Sequence, residues 1–151
     1  MRQIFPHFLW IGHAADGRDY RGQLRLGIRA VLQVAAEEPA LQPPRGLLYC
    51  RFPLLDSPGN DARLLDMAIT TLASFLERRL PTLVVCGVGM SRGPAIAAAA
   101  LARMYAETAD DCLKRVAEHH PADVAPGLWE EVTSLLACAP VRTMSALHAG
   151  R

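Results

Sequence analysis

Long apolar runs are missing from this 151-residue sequence. No stretch approaches the roughly 20 residues needed to cross a bilayer. The alanine-rich segment from Ala95 to Ala102 is cut by Arg103 and reads as a buried helix. Near the N-terminus, Phe8-Leu9-Trp10-Ile11-Gly12 is too short and too early for the apolar core of a signal peptide. Charge imbalance is missing too. A formal net charge of +1 gives no global attraction to nucleic acid or anionic lipid, so any affinity for phosphate must be local. The four cysteines, Cys50, Cys86, Cys112 and Cys138, lie far apart with no CxxC pair. That spacing excludes a disulfide framework and a zinc ligand set, and no metal or other cofactor is expected. A soluble, reduced, cytoplasmic setting fits best.

What is present suffices for one core. Half of the residues are hydrophobic and 21% are charged, a balance that excludes disorder as the main state. There is no internal repeat, low-complexity linker or composition shift, so residues 1–151 are expected to form a single domain. Its last residues, about 140–151, carry little apolar pattern and are expected to fray. Phe8 to Ile11 reads as a short strand ending at Gly12, and Asp19 to Leu26 as a weak helix. Ile28 to Val34 has the near-continuous apolar character of a buried strand. A proline-rich turn (Pro39, Pro43, Pro44) leads to a further strand from Leu47 to Leu54. Asp56-Ser57-Pro58-Gly59-Asn60 is a loop by its turn residues. Asn60 or Asp61 then caps a helix whose apolar residues recur from Leu64 to Leu76. Thr82 to Val85 reads as a core strand, and a helix with Pro94 in its first turn follows Arg92. Two more helices span Ala109 to His119 and Gly127 to Cys138. The expected fold is α/β: a central, mostly parallel sheet flanked by helices, with ligands held beyond the carboxyl ends of the strands.

Cys86-Gly87-Val88-Gly89-Met90-Ser91-Arg92 occupies such a strand end. Alone, a Cys with a basic residue six places on means little. Lys and Arg number 16 of 151, so chance supplies the pair about one time in ten. Its setting discriminates. Two glycines between a buried strand and a helix start let successive amides from Gly87 to Ser91 turn inward as a nest for an oxyanion. The helix N-terminus adds its own N–H groups and positive dipole end. A Cys86 thiolate is stabilised there and is nucleophilic near neutrality. The planar fork of Arg92 binds two oxygens of a phosphoryl group at once. Attack by Cys86 then gives a phosphocysteine intermediate. The leaving oxygen needs a proton, for which Asp56 is the leading candidate and Asp61 the second. Ser91 can hydrogen-bond within the loop. Cys50, on the strand leading to Asp56, is a conceivable redox partner for Cys86.

With these residues in place the chain resembles the dual-specificity branch of the protein tyrosine phosphatases, whose signature is His-Cys-x-x-Gly-x-x-Arg-Ser/Thr. Cys86, Gly89 and Arg92 fall on matching positions, as does Ser91. Pro53-Leu54-Leu55-Asp56 resembles the general-acid segment, 30 residues before the cysteine. Ile4 to Gly12, Leu24 to Leu32 and His120 to Leu135 resemble the family's opening strand, helix–strand passage and last helices. The resemblance implies a metal-independent hydrolase of phosphate monoesters, chiefly phosphotyrosine and phosphoserine/threonine proteins. No membrane or nucleic-acid partner is implied. Two departures stand out. Val85 replaces the signature His, which supports the loop and activates the thiol. Gly93 replaces the hydroxyl residue that hydrogen-bonds the sulfur and helps it leave in the second step. Ala125-Pro126-Gly127 also lacks an Asn that braces the loop in relatives. These departures imply slow breakdown of the intermediate, or in the limit a phosphate-binding interaction module with little turnover.

Overall fold

Strand β5 (Thr82–Val85) runs through the middle of a five-stranded sheet because both of its flanks are apolar and all four of its residues are buried. In the computed structural model, which describes residues 1–138, β2 (Leu9–Gly12) and β3 (Ala30–Gln33) pair parallel to β5 on either side. Gly12 and Gln33 both stand opposite Val85, so the three strands end level. Strand β4 (Leu48–Arg51) pairs parallel to β3, and β1 (Arg2–Gln3) closes the other edge antiparallel to β2. The order β1-β2-β5-β3-β4 reverses direction at β5, which is where open α/β sheets hold their ligands. The single-domain α/β expectation is met. The fraying expected for residues 140–151 concerns a stretch outside the described residues.

The helices divide between the two faces. Helices α3 (Ala62–Glu77), α4 (Arg92–Tyr105), α5 (Ala109–His119) and α6 (Pro126–Cys138) cover the larger core, which includes Leu9, Ile11, Leu32, Val84 and Cys86. Every residue of α4 from Arg92 to Ala102 is buried. Its run of alanines suits a helix pressed between the sheet and α3, α5 and α6, since small side chains let backbones approach and carry the highest helix propensity. No helix among the described residues is long and apolar enough to cross a membrane. The other face is a small core of Trp10, Ile28, Val31, Leu41, Leu83 and Val85 beside α1 (Ala14–Arg18) and α2 (Tyr20–Arg25). Alternation along β5 therefore sends Val85 and Cys86 into opposite cores.

Helix α3 owes its position to a buried stripe of Leu65, Ala68, Ile69, Leu72 and Leu76, the 3.6-residue pattern visible in the sequence. Truncating one of its leucines to alanine costs about 2–5 kcal/mol at such sites. Asp61 is its N-cap and accepts a hydrogen bond from the Arg63 amide at 2.8 Å. The two-residue β1 and the five-residue α1 have no counterpart in the sequence reading. β1 is exposed and polar and so carries no apolar signal, and α1 is shorter than two helical turns.

Candidate active site

The chain leaves β5 at Cys86 and re-enters regular structure at Arg92, so the intervening loop caps the central strand. Three carbonyls of this loop are engaged outward. Gly87 O accepts from Ala14 N at 3.0 Å, Met90 O from Asp123 N at 2.7 Å, and Ser91 O from Ala95 N at 3.0 Å. Among the described residues, the amides of Gly87 to Ser91 donate to no other group. With those carbonyls tethered, the N–H groups of the loop are left available to an anion, as in a backbone nest. Gly89 makes the turn possible. Its φ is +85°, and a Cβ there would lie 2.9 Å from the Gly12 carbonyl oxygen. Both facts demand glycine at the central position.

A depression of about 220 Å³ sits over this loop, lined by Cys86, Val88, Gly89, Met90, Ser91, Arg92, Asp56 and Asp123. The fold thus brings together Cys86, Arg92, Asp56 and the loop residues Val88 to Ser91, but not Gly87, Asp61 or Cys50. Gly87 instead lies under Glu37, where a Cβ would be 2.9 Å from Oε1 of that carboxylate. Glu37 comes from the long connection between β3 and β4. It accepts from both terminal nitrogens of Arg92, one contact measuring 2.5 Å. Arg92 Nη1 also donates to Leu54 O at 2.9 Å. Arg92 is 5% exposed, and its Nε is buried with no hydrogen-bond partner. One edge of the fork is therefore fixed to protein and the Nε edge is unengaged. Glu37 raises the Arg92 pKa against the burial that lowers it, with smaller help from Cys86 and Asp56. Reciprocally, Arg92 holds Glu37 below the usual carboxylate range, outweighing desolvation.

Asp56 stands on the loop beyond β4 and accepts from Ser91 Oγ at 2.5 Å. The same hydroxyl accepts from Ala125 N at 2.9 Å. Ser91 thus joins the cysteine loop, the Asp56 loop and the α5–α6 connection through one oxygen. The Asp56 loop is pinned at its far end as well. Glu131 on α6 accepts from Gly59 N at 2.5 Å, Asn60 N at 3.2 Å and Asn60 Nδ2 at 2.9 Å. Burial pushes the Glu131 carboxyl up, but the bonds from Asn60 and Gly59 outweigh it and the net shift is downward. Asn60 also accepts from Leu55 N and donates to Leu55 O and Ser57 O. Pro58 packs so close to Gly127 that a Cβ there would meet Pro58 Cγ at 2.3 Å. Gly127 is needed for that approach.

Asp61, the second candidate for the acid, is engaged as the α3 cap and does not line the depression. Asn60 organises the loop rather than the helix. Cys50 pairs in register with Leu32, which pairs with Val84. It therefore stands two strand spacings from β5, about 10 Å, and both Cys50 and Cys86 are free. Val85 packs in the small core against Leu41 and Gly17, on the face away from the sulfur. Gly93 lies on the sulfur side, where a Cβ would be 3.7 Å from Cys86 Sγ and 3.2 Å from Ile11 Cγ2. A hydroxyl side chain at this position would reach the sulfur. Glu37, Asp123 and Glu131 escaped the sequence reading, because each reaches the site through the fold and none lies in a local motif.

The mostly parallel sheet, the loop capping its central strand and the four helices behind it match the dual-specificity phosphatase fold. Human DUSP28 superposes with a TM-score of 0.80 at 23% identity, covering 91% of this chain and 96% of the other. A mouse putative dual specificity phosphatase complexed with zinc tungstate gives 0.79 at 25%, covering 90% and 86%. The human tyrosine phosphatase-like serine/threonine/tyrosine-interacting protein gives 0.76 at 19%, covering 91% and 95%. No protein-family model and no curated protein matches the sequence.

Proposed function

We propose that the protein is a cysteine-dependent phosphatase that hydrolyses phosphate monoesters in two steps. Cys86 Sγ attacks phosphorus, the bond to the leaving oxygen breaks, and Asp56 gives that oxygen its proton. Water then attacks the phosphocysteine, its proton passes to Asp56, and phosphate leaves as the thiolate re-forms. The amides of Gly87 to Ser91 and the Arg92 guanidinium hold the equatorial oxygens while charge redistributes.

Arg92 carries the proposal. A guanidinium locked by Glu37 and Leu54 along one side, with a buried and unpaired Nε, beside a loop whose amides are unused, is prepared for an oxyanion. Leaving such a donor unsatisfied costs about 1–3 kcal/mol, which a bound phosphoryl group recovers. Phosphorylated tyrosine, serine or threonine in proteins is the substrate class supported by the likeness in fold.

A second reading, a phosphate-binding module with little turnover, is favoured by Gly93. Only hydrogen stands where a hydroxyl would face the sulfur, so expulsion of the thiolate lacks that help. Turnover of an aryl phosphate with a poor leaving group separates the two. We expect hydrolysis by the wild type, near-complete loss in Cys86→Ser and a large loss in Asp56→Asn. Wild-type turnover no greater than that of Cys86→Ser refutes the enzyme. Equal rates in Asp56→Asn refute only the acid.

A further inference from the structure

The walls around this depression differ in charge from its floor. Arg92 is the only cationic side chain lining it among the described residues, and its charge is matched by Glu37. Asp56 and Asp123 both line it, from the separate segments before α3 and before α6. Glu37 has a half-exposed side chain, and Glu38 lies beside it at the Gly87 edge, where a Cβ would come 3.8 Å from Glu38 Oε1. The nearby cations are committed. Arg51 donates to the carbonyls of Ala36 and Glu38, and Arg18 pairs with Glu38 at 3.9 Å. The remaining rim is apolar, with Leu55 44%, Met90 38% and Val88 77% exposed.

Resting on the proposed function, we infer that this rim selects the carrier of the phosphate: a singly phosphorylated peptide whose flanking residues are basic or apolar. Two observations converge. The buried, unpaired Nε of Arg92 directs one phosphoryl group to the floor. About 220 Å³ accommodates one phosphoryl group with the side chain that carries it, so the flanking residues of the substrate lie on the rim. There a second phosphate or a run of acidic residues meets Asp56 and Asp123, beside the Arg92–Glu37 and Arg18–Glu38 pairs, with no unpaired guanidinium or ammonium among the described residues lining the depression to receive it. Lysine or arginine beside the phosphoresidue meets the same carboxylates favourably, while its stem covers Val88, Met90 or Leu55. Repulsion of the wrong carrier contributes to this selectivity as much as attraction of the right one.

Binding to the Cys86→Ser protein measures selection without turnover. Three fluorescent phosphotyrosine peptides share one core and differ only in flanks of lysine, alanine or glutamate, each with an unphosphorylated control. The lysine peptide should bind on the order of tenfold or more tighter than the glutamate peptide at low ionic strength. That ratio should shrink towards one near 1 M salt, where the screening length is about 3 Å. Asp123→Asn should narrow it as well. The Asp123 backbone amide, which holds Met90 O, is retained in that variant. Equal affinities for the three peptides, or tighter binding of a soluble inositol trisphosphate, overturn the rim assignment and leave the phosphate site standing. No phosphate-dependent binding of any peptide or of inorganic phosphate overturns the phosphate site and the rim assignment together.

Discussion

Replacing Gly93 with serine should speed the protein up. In the proposed mechanism the missing hydroxyl matters in the second step, when Cys86 Sγ departs from phosphorus carrying developing negative charge. A Cβ at position 93 would sit 3.7 Å from that sulfur, so one serine rotamer brings Oγ within hydrogen-bond reach. A hydrogen bond to a charged group contributes about 1.5–3 kcal/mol, which corresponds to roughly 10- to 150-fold in the rate of thiolate expulsion. The structural cost is smaller. The new Cβ lies 3.2 Å from Ile11 Cγ2, a contact that a few tenths of an ångström relieve, at about 1 kcal/mol. Leaving glycine in the first turn of α4 returns up to about 0.5 kcal/mol through helix propensity. Stopped-flow hydrolysis of an activated aryl phosphate is the assay. The wild type should release a burst of phenol stoichiometric with enzyme and then turn over slowly. In Gly93→Ser the steady-state rate should rise and the burst should merge into it. Gly93→Ala adds the same Cβ without the hydroxyl and should leave the second step slow. If serine and alanine behave alike, or if the wild type shows no burst, the sulfur-facing role of position 93 is refuted.

Two further expectations concern groups that reach the site through the fold. Glu131→Gln removes one of the acceptors that pin Gly59 and Asn60, and should loosen the loop that carries Asp56. Turnover of a phosphate with a poor leaving group should fall by about tenfold, while that of an activated aryl phosphate changes little, because only the former needs the proton. The effect should vanish in an Asp56→Asn background, as residues acting as a unit are non-additive. Glu37 gives a pH signature. Its carboxyl is held below its ordinary value of 4.5 by Arg92, so its contribution to stability is full above that pH and is lost as pH falls through the folded value. Since its side chain is more than half exposed, the contribution is up to about 1 kcal/mol. Denaturant midpoints of wild type and Glu37→Gln should differ by a constant amount from neutrality down to about pH 5 and converge below it. A gap that persists in acid excludes the ion pair as its source.

The chemistry of the site was more legible in the sequence than its support. Cys86, Arg92 and Asp56, the proposed nucleophile, cation and acid, could be singled out because each sits at a strand end or beside turn residues, and such features are local. The order of the core elements was also legible, since β3, β5 and α3 carry clear apolar periodicity. Glu37 reaches Arg92 across 55 positions and Glu131 reaches Asn60 across 71, so no window of sequence contains either pair. Asn60 and Asp61 show the limit at close range. Both are good cap residues, and only the approach of α6 assigns Asp61 to the helix and Asn60 to the loop. Gly127 is similar: its need for glycine comes from Pro58, 69 residues earlier.

The level ending of β2, β3 and β5 ties the site to the alignment of the sheet. His13 and Ala14 follow β2, Glu37 follows β3, Asp56 follows β4 and Cys86 follows β5, so each part of the site hangs from a different strand at one edge. A slip of one residue in any pairing would displace one part by about 3.3 Å and turn that strand's side chains to the opposite face. The hydrogen bonds at 2.5 to 3.0 Å that join these parts tolerate no such displacement. The site therefore works as a gauge of strand alignment: it closes only in the native register, and a chain that has mispaired one strand has no partially assembled site to offer.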